Sequence, residues 1–99
     1  MTTNLHSHFR DVADQLKTLE KVFSTGPEGS KYMGFFEEYL AVNELELALH
    51  AVCDFLLEPT TPAVDEATLG RIETLHKLMQ LDDDCAPRLK EKSGNTTEP

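Results

Sequence analysis

Two groups of histidine and acidic residues mark where this chain could carry out metal or acid–base chemistry. His6 and His8 form an H-x-H pair, and Asp11 follows about one turn later. On a helix, residues two positions apart point away from each other, and a metal site needs its ligands to converge. The spacing therefore favours a solvated helix face over a metal site.

The second group is Glu46, His50 and Asp54, which recur every four residues and so share one face of a helix. Di-iron bundles instead pair a Glu-x-x-His motif from two helices, which this spacing does not match. The chain also has no nucleophile motif and no glycine-rich phosphate loop. We expect no enzymatic activity, no metal and no cofactor, and we interpret this face as a solvent or partner side.

The helix that carries this face lies in the densest apolar run of the chain, residues 39–58. Asn43 is the predicted N-cap, and Glu46 is placed to complete a capping box. Pro59 ends the helix, because the residue before a proline is pushed out of the α region. The predicted helix spans residues 43–58, and its buried stripe consists of Leu45, Leu49, Val52 and Leu56.

Three further helices are predicted from apolar spacing and capping residues. They span residues 4–24, residues 31–41 after Ser30, and residues 65–80 after the N-cap Asp65. The fold class is therefore all-α, a compact bundle of about four helices in a single domain of residues 1–81. Residues 82–99 are acidic and polar, and we predict a flexible, disordered tail.

Charge is distributed unevenly along the sequence. The net charge is −9, and there is no lysine or arginine between Lys31 and Arg71, a segment that holds eight acids. Such an excess argues against binding to nucleic acid or to a membrane surface and favours a basic protein partner.

Compartment and redox state follow from what the sequence lacks. There is no apolar stretch of the ~20 residues that a membrane span needs, and no signal peptide. We therefore expect a cytoplasmic protein. Cys53 is interpreted as a small buried residue and Cys85 as a thiol in a loose tail, both of them reduced.

The segment from Phe35 to Glu58 resembles the core motif of small bacterial immunity proteins, namely the MafI family and related immunity proteins of contact-dependent growth inhibition systems. Those proteins have a short helix, then a helix of the form E-x-x-L-A-L-x-x-x-C/A-D-x-L, a proline-containing loop and a last helix. The matching positions are Glu44, Leu47, Ala48, Leu49, Cys53, Asp54, Leu56 and Glu58.

The resemblance implies a protein that binds the C-terminal toxin domain of a large exported effector, often a ribonuclease with a basic cleft. An acidic inhibitor would compete there with the RNA backbone, in agreement with the charge argument. We expect a monomer or weak homodimer. The alternative is a small helical adaptor or regulatory subunit that acts through an apolar groove or as a homodimer. The candidate toxin-binding residues are Glu37, Glu38, Glu44, Glu46, His50, Asp54 and Glu58.

Overall fold

The helix predicted to carry the acidic face, α3 (Leu45–Leu56), lies at the centre of the fold and is covered over most of its circumference. The computed structural model describes residues 2–81 and 84–94, with the side chains of residues 10–81 and 84–92. Around α3 lie α1 (Thr2–Lys17), a 3-10 helix (Glu20–Thr25), α2 (Gly29–Ala41), α4 (Glu66–Leu78) and α5 (Cys85–Gly94). These ranges contain no strand, which confirms the all-α class and adds a fifth helix to the four predicted.

One hydrophobic core joins these elements. The predicted stripe on α3 is buried at all four of its positions, as the apolar spacing required. No helix in the described ranges combines the length and the hydrophobicity needed to cross a bilayer. The largest fully buried side chains are Val12, Leu16, Leu19, Phe36, Leu49, Val52, Phe55, Ile72, Leu75 and Leu89.

The predicted helix 4–24 is interrupted near Thr18. The Thr18 hydroxyl donates to the Gln15 carbonyl at 2.6 Å, and the Leu19 amide donates to the Leu16 carbonyl at 2.9 Å. These three-residue bonds tighten the chain into the 3-10 helix. The change of direction brings Phe23 into the core, where its ring centroid lies 5.3 Å from that of Phe36.

Gly29 starts α2 at a position where no larger residue fits. A Cβ at this position would overlap the backbone carbonyl of Phe23. The corner between the 3-10 helix and α2 therefore depends on glycine for close packing and not for an unusual backbone angle.

Asn43 has a different role from the predicted one. It is not the N-cap of α3; it ends α2 in the left-handed conformation, with φ of 63°. The Glu44 amide donates to the Tyr39 carbonyl at 2.8 Å, and the Asn43 amide donates to the Leu40 carbonyl at 3.1 Å. These two bonds form a Schellman motif, which asparagine tolerates better than most residues. The predicted N-cap at Asp65 is confirmed, since its side chain accepts from the Thr68 amide at 2.7 Å.

The prediction of a tail beginning at residue 82 is wrong for the helical part of that segment. Cys85, Ala86 and Leu89 are buried against the core, so α5 packs on α3 and α4. Pro87 does not prevent the helix, because a proline in the first turn removes no required hydrogen bond. Residues 82–83 and 95–99 of the predicted tail lie outside the described residues.

Docking of α5 also corrects the expected state of the two cysteines. Cys53 of α3 and Cys85 of α5 form a disulfide, with their Cα atoms 6.1 Å apart. Both residues are buried. The sequence reading of two reduced thiols failed because it placed Cys85 in a loose segment far from α3.

Lys92 of α5 closes the carboxyl end of α3. Its ammonium group donates to the carbonyls of Leu56 at 2.6 Å, Thr61 at 2.8 Å and Glu58 at 3.0 Å. The last carbonyls of any helix lack partners within the helix, and a lysine has three N–H donors to offer them. Burial lowers the pKa of Lys92, while the nearby charge of Glu58 acts in the opposite direction.

Replacing Lys92 with methionine should destabilise the fold, because the side-chain length is kept while the three carbonyls lose their donor. Hydrogen bonds to a charged group contribute about 1.5–3 kcal/mol, and we expect a loss of unfolding free energy in this range in urea denaturation. Lys90→Met is the matched control, since Lys90 is exposed on the same helix and should change stability by no more than about 0.5 kcal/mol. Equal losses in the two variants would show that the carbonyl contacts add nothing.

Removal of the disulfide should also destabilise the fold, independently of Lys92. The two cysteines are 32 residues apart, and closing a loop of this length restricts the unfolded chain by about 3–4 kcal/mol. We expect a reducing agent to lower the thermal midpoint of the wild type and to leave that of Cys53→Ala/Cys85→Ala unchanged. Coincident unfolding curves for the oxidised and reduced wild type would contradict this.

Candidate functional site

The candidate surface is the solvent-exposed side of the hairpin formed by α2 and α3, here named its outer side. These two helices pack on each other more extensively than any other pair of described elements. The Schellman turn at Asn43 reverses the chain, so the start of α2 lies beside the end of α3. The ring centroids of Tyr32 and Phe55 lie 5.9 Å apart and mark this end of the hairpin.

The three residues predicted to share a face of α3 do so. Glu46 and Asp54 are exposed and His50 is half-buried. His50 and Asp54 also line a shallow cleft of about 160 Å³. Its other side includes Asp84, which directly precedes α5, and Arg88 of α5. The carboxyl half of this face is therefore bordered by α5, including one positive charge that the sequence analysis did not place there.

The acids on α2 and in the turn are exposed but do not all point the same way. Glu38 follows Phe35 by three residues and lies on the same side of α2, whereas Glu37 follows Met33 by four and lies on the side of Met33. Glu44 is exposed at the turn into α3. The predicted acids thus surround the hairpin and do not form one patch, and Glu37 is the member most clearly apart.

Glu58 is the predicted site residue with the clearest internal role. Its carboxylate accepts a hydrogen bond of 2.5 Å from the Tyr32 hydroxyl, and it is half-buried. This bond raises the pKa of Tyr32 to about 12, with further contributions from burial and from the charges of Glu58, Asp54 and Glu28. Each of these effects disfavours the negatively charged tyrosinate. The three carboxylates of Glu58, Asp54 and Glu28 all act on the Tyr32 hydroxyl.

Exposed apolar side chains lie among these acids. Phe35 is 43% exposed, Leu47 40% and Val42 63%. Leu47 is two turns before Asp54 on α3 and therefore shares a side of that helix with it. Val42 directly follows the last residue of α2. Phe35 also packs edge-on against Tyr32, with 6.3 Å between the ring centroids. The exposure of Phe35 follows from its position on α2 directly before Phe36, which is buried, because neighbouring helical residues point about 100° apart.

The side chains in the described part of the chain contain no group of three or more His, Cys, Asp or Glu that could hold a metal ion. The side chains of His6 and His8, the H-x-H pair, lie outside that part. The absence of a cofactor remains a prediction.

The fold and surface define a small all-α protein with an acidic helical hairpin. Comparisons of the chain with protein-family models, with curated proteins and with solved structures found no match. The resemblance to immunity proteins therefore stays a hypothesis, supported by the motif residues and by the surface just described.

The contact between Tyr32 and Glu58 can be tested by titration. In a Tyr39→Phe background Tyr32 is the sole tyrosine, so its tyrosinate absorbance should appear near pH 12. Adding Glu58→Gln should lower that pKa towards 10, since the acceptor loses its charge. Because the folded-state pKa is raised, this contribution to stability is present below about pH 10 and is lost as the pH rises towards 12. A pKa unaffected by Glu58→Gln would rule out the bond as its cause.

Proposed function

We propose that this chain is an immunity protein that neutralises a toxin domain with a basic nucleic-acid-binding cleft, most simply a ribonuclease. The observation that carries the proposal is that the α2–α3 hairpin exposes both acids, Glu38, Glu46 and Asp54 among them, and the apolar side chains of Phe35 and Leu47. From Tyr32 of α2 to Gly70 of α4 the sequence has no lysine or arginine, so Lys31 in the first turn of α2 is the one lysine or arginine of the hairpin.

The acids supply long-range attraction to such a partner. Complementary charge raises association rates and disfavours wrong partners more than it raises affinity. Glu46 and Asp54 are exposed on one face of α3, so they would meet a basic surface without first breaking internal contacts. Glu58 is less free to do so, because Tyr32 already binds its carboxylate.

The apolar residues would supply the short-range part of the interaction. Interfaces concentrate their binding energy in a few desolvated aromatic or apolar side chains, surrounded by a polar rim. Phe35 and Leu47 are exposed among acids and fit this arrangement. The acids would then occupy the cleft in place of the RNA phosphates, which explains inhibition without any chemistry by the inhibitor.

We place this action in the cytoplasm, where a ribonuclease toxin meets its RNA. Disulfides persist mainly in oxidising compartments, and Cys53–Cys85 joins two helices of the fold. The cytoplasm keeps thiols reduced, so binding should be measured with both the oxidised and the reduced protein. The hairpin itself contains one of the two cysteines and does not need α5 for its turn.

The test is binding to the C-terminal domain of any large exported protein encoded beside this chain, with the affinity measured by calorimetry and the association rate by stopped-flow mixing. For Glu46→Lys/Asp54→Lys we expect association to slow by about tenfold or more at low salt, with a weaker salt dependence, because two attractive charges become repulsive. The helical circular dichroism should not change, since both residues are exposed.

Asp11→Lys/Asp14→Lys is the charge-matched control, since both residues are exposed on α1 and are not part of the hairpin. This control should associate at close to the wild-type rate. Equal slowing in both variants would show that the effect depends on net charge alone. No binding by the wild type would contradict the immunity proposal.

The alternative is an adaptor that pairs through its apolar residues, and exposed Phe35, Val42 and Leu47 favour it. It predicts a mass above 11.1 kDa in sedimentation at micromolar concentration, and self-association that salt does not weaken. A monomer at all concentrations would exclude the homodimer form of this alternative.

A further inference from the structure

A second surface has the opposite charge. A cleft of about 730 Å³, here named the α1–α2 cleft, lies between the end of α1, the 3-10 helix, the start of α2 and one residue of α4. Its cationic lining residues are Lys17, Lys21 and Arg71, and its one acid is Glu20. The lining therefore carries a net charge of about +2 in a chain whose net charge is −9.

Its three cations come from three different elements. Lys17 is the last residue of α1, Lys21 belongs to the 3-10 helix, and Arg71 belongs to α4, some fifty positions further along the chain. Like charges gathered around a cavity repel each other, and that repulsion is relieved when an anion occupies the space between them. Hydrogen bonds from Thr68 lower the pKa of Asp65, and the nearby charge of Arg71 lowers it further.

Donors other than the cations also reach the cleft. Gly29 and Ser30, the first residues of α2, line it. The Gly29 amide already donates to the Gly26 carbonyl at 3.2 Å, whereas the Ser30 amide has no carbonyl one turn before it within the helix. The positive end of the helix dipole adds to the field of the cations. The wall is held in place at Gly29, because the packing of this residue on Phe23 leaves no room for a side chain.

The cleft also has an apolar side. Met33 is half-buried and lines it. The cavity volume lies within the range of about 300–1,000 Å³ that is usual for small-molecule sites and exceeds what a bare oxyanion fills. The lining thus offers cations and amides for an anionic group, and a thioether surface for a less polar body.

We propose that the α1–α2 cleft binds a small phosphate monoester, with its phosphate among Lys17, Lys21, Arg71 and the amide of Ser30, and its organic body against Met33. This site lies on the side of α2 opposite Phe35. Of the two predicted toxin-binding acids on α2, Glu37 lies on the side of the cleft and Glu38 on the side of Phe35. Met33 and Phe35 are two residues apart on α2 and therefore point about 160° away from each other.

The experiment is a titration of the isotope-labelled protein, followed by amide chemical shifts at low ionic strength, with inorganic phosphate and phenyl phosphate as probes and sodium chloride as the ionic-strength control. We expect saturable shifts centred on Lys21, Ser30 and Met33, with phenyl phosphate binding more tightly than inorganic phosphate. Non-saturating shifts that chloride reproduces would overturn the proposal.

Two double variants separate the site from general electrostatics. Lys21→Gln/Arg71→Gln should weaken phenyl phosphate by about tenfold or more, since charge-assisted hydrogen bonds are the strong ones. Arg10→Gln/Lys90→Gln removes the same charge from exposed positions outside the cleft and should change affinity by less than about twofold. Equal weakening in both variants would overturn the site.

Ser30→Asp provides a test that loss of folding cannot imitate. A carboxylate in the first turn of α2 favours the helix through its dipole but repels a phosphate in the cleft. We expect binding to be abolished while the thermal midpoint stays equal or rises. Retained affinity in this variant would place the anion elsewhere and contradict the proposal.

Discussion

The closure of α3 by Lys92 is the interaction on which the rest of the arrangement depends. Buried carbonyls without partners are costly. The amides of Leu57 and Glu58 donate to the carbonyls of Cys53 and Phe55, but the carbonyl of Leu56 needs a donor from elsewhere. Lys92 meets this need from α5, 36 residues after Leu56. The central helix can end inside the protein because a helix from the end of the chain supplies the missing donors.

This arrangement also explains why one acid of the hairpin differs from the others. Glu58 lies where the end of α3, the start of α2 and the end of α5 meet. Its backbone carbonyl accepts from Lys92 and its carboxylate accepts from Tyr32. The same residue therefore joins two helices to the end of a third, while Glu46 and Asp54 remain exposed on the outer face. Position at a junction, and not residue type, separates an internal acid from one available to a partner.

Sequence patterns predicted those parts of the fold that depend on local physics. The buried stripe of α3 and the Asp65 cap are short-range features, and the structure has both. Asn43 was assigned to the wrong helix end because asparagine is favoured both as an N-cap and in the left-handed conformation. The break near Thr18 was missed because Leu16 and Leu19 are three residues apart, a spacing that fits both an α-helix and a 3-10 turn.

Long-range contacts were beyond the same reasoning. The segment of α5 has few apolar positions and a proline, so its pattern is weak, and its packing depends on Cys53 and on the carbonyls of Leu56, Glu58 and Thr61. For the candidate surface, the exposure of Glu46 and Asp54 was predictable from their type and spacing. The bond from Tyr32 to Glu58 was not, because the two residues are 26 positions apart. The α1–α2 cleft was missed for the same reason, since Arg71 reaches it from a distant helix.

The disulfide has a topological consequence for the segment that it encloses. Cys53 and Cys85 bracket the proline-containing linker and all of α4. Pro59, Thr60, Pro62 and Ala63 are exposed in that linker, where a protease would reach the backbone most easily. A single cut there would leave two fragments that stay covalently joined through α3 and α5. The nicked protein would keep its full mass until it met a reductant, so cleavage alone would not release either half of the core.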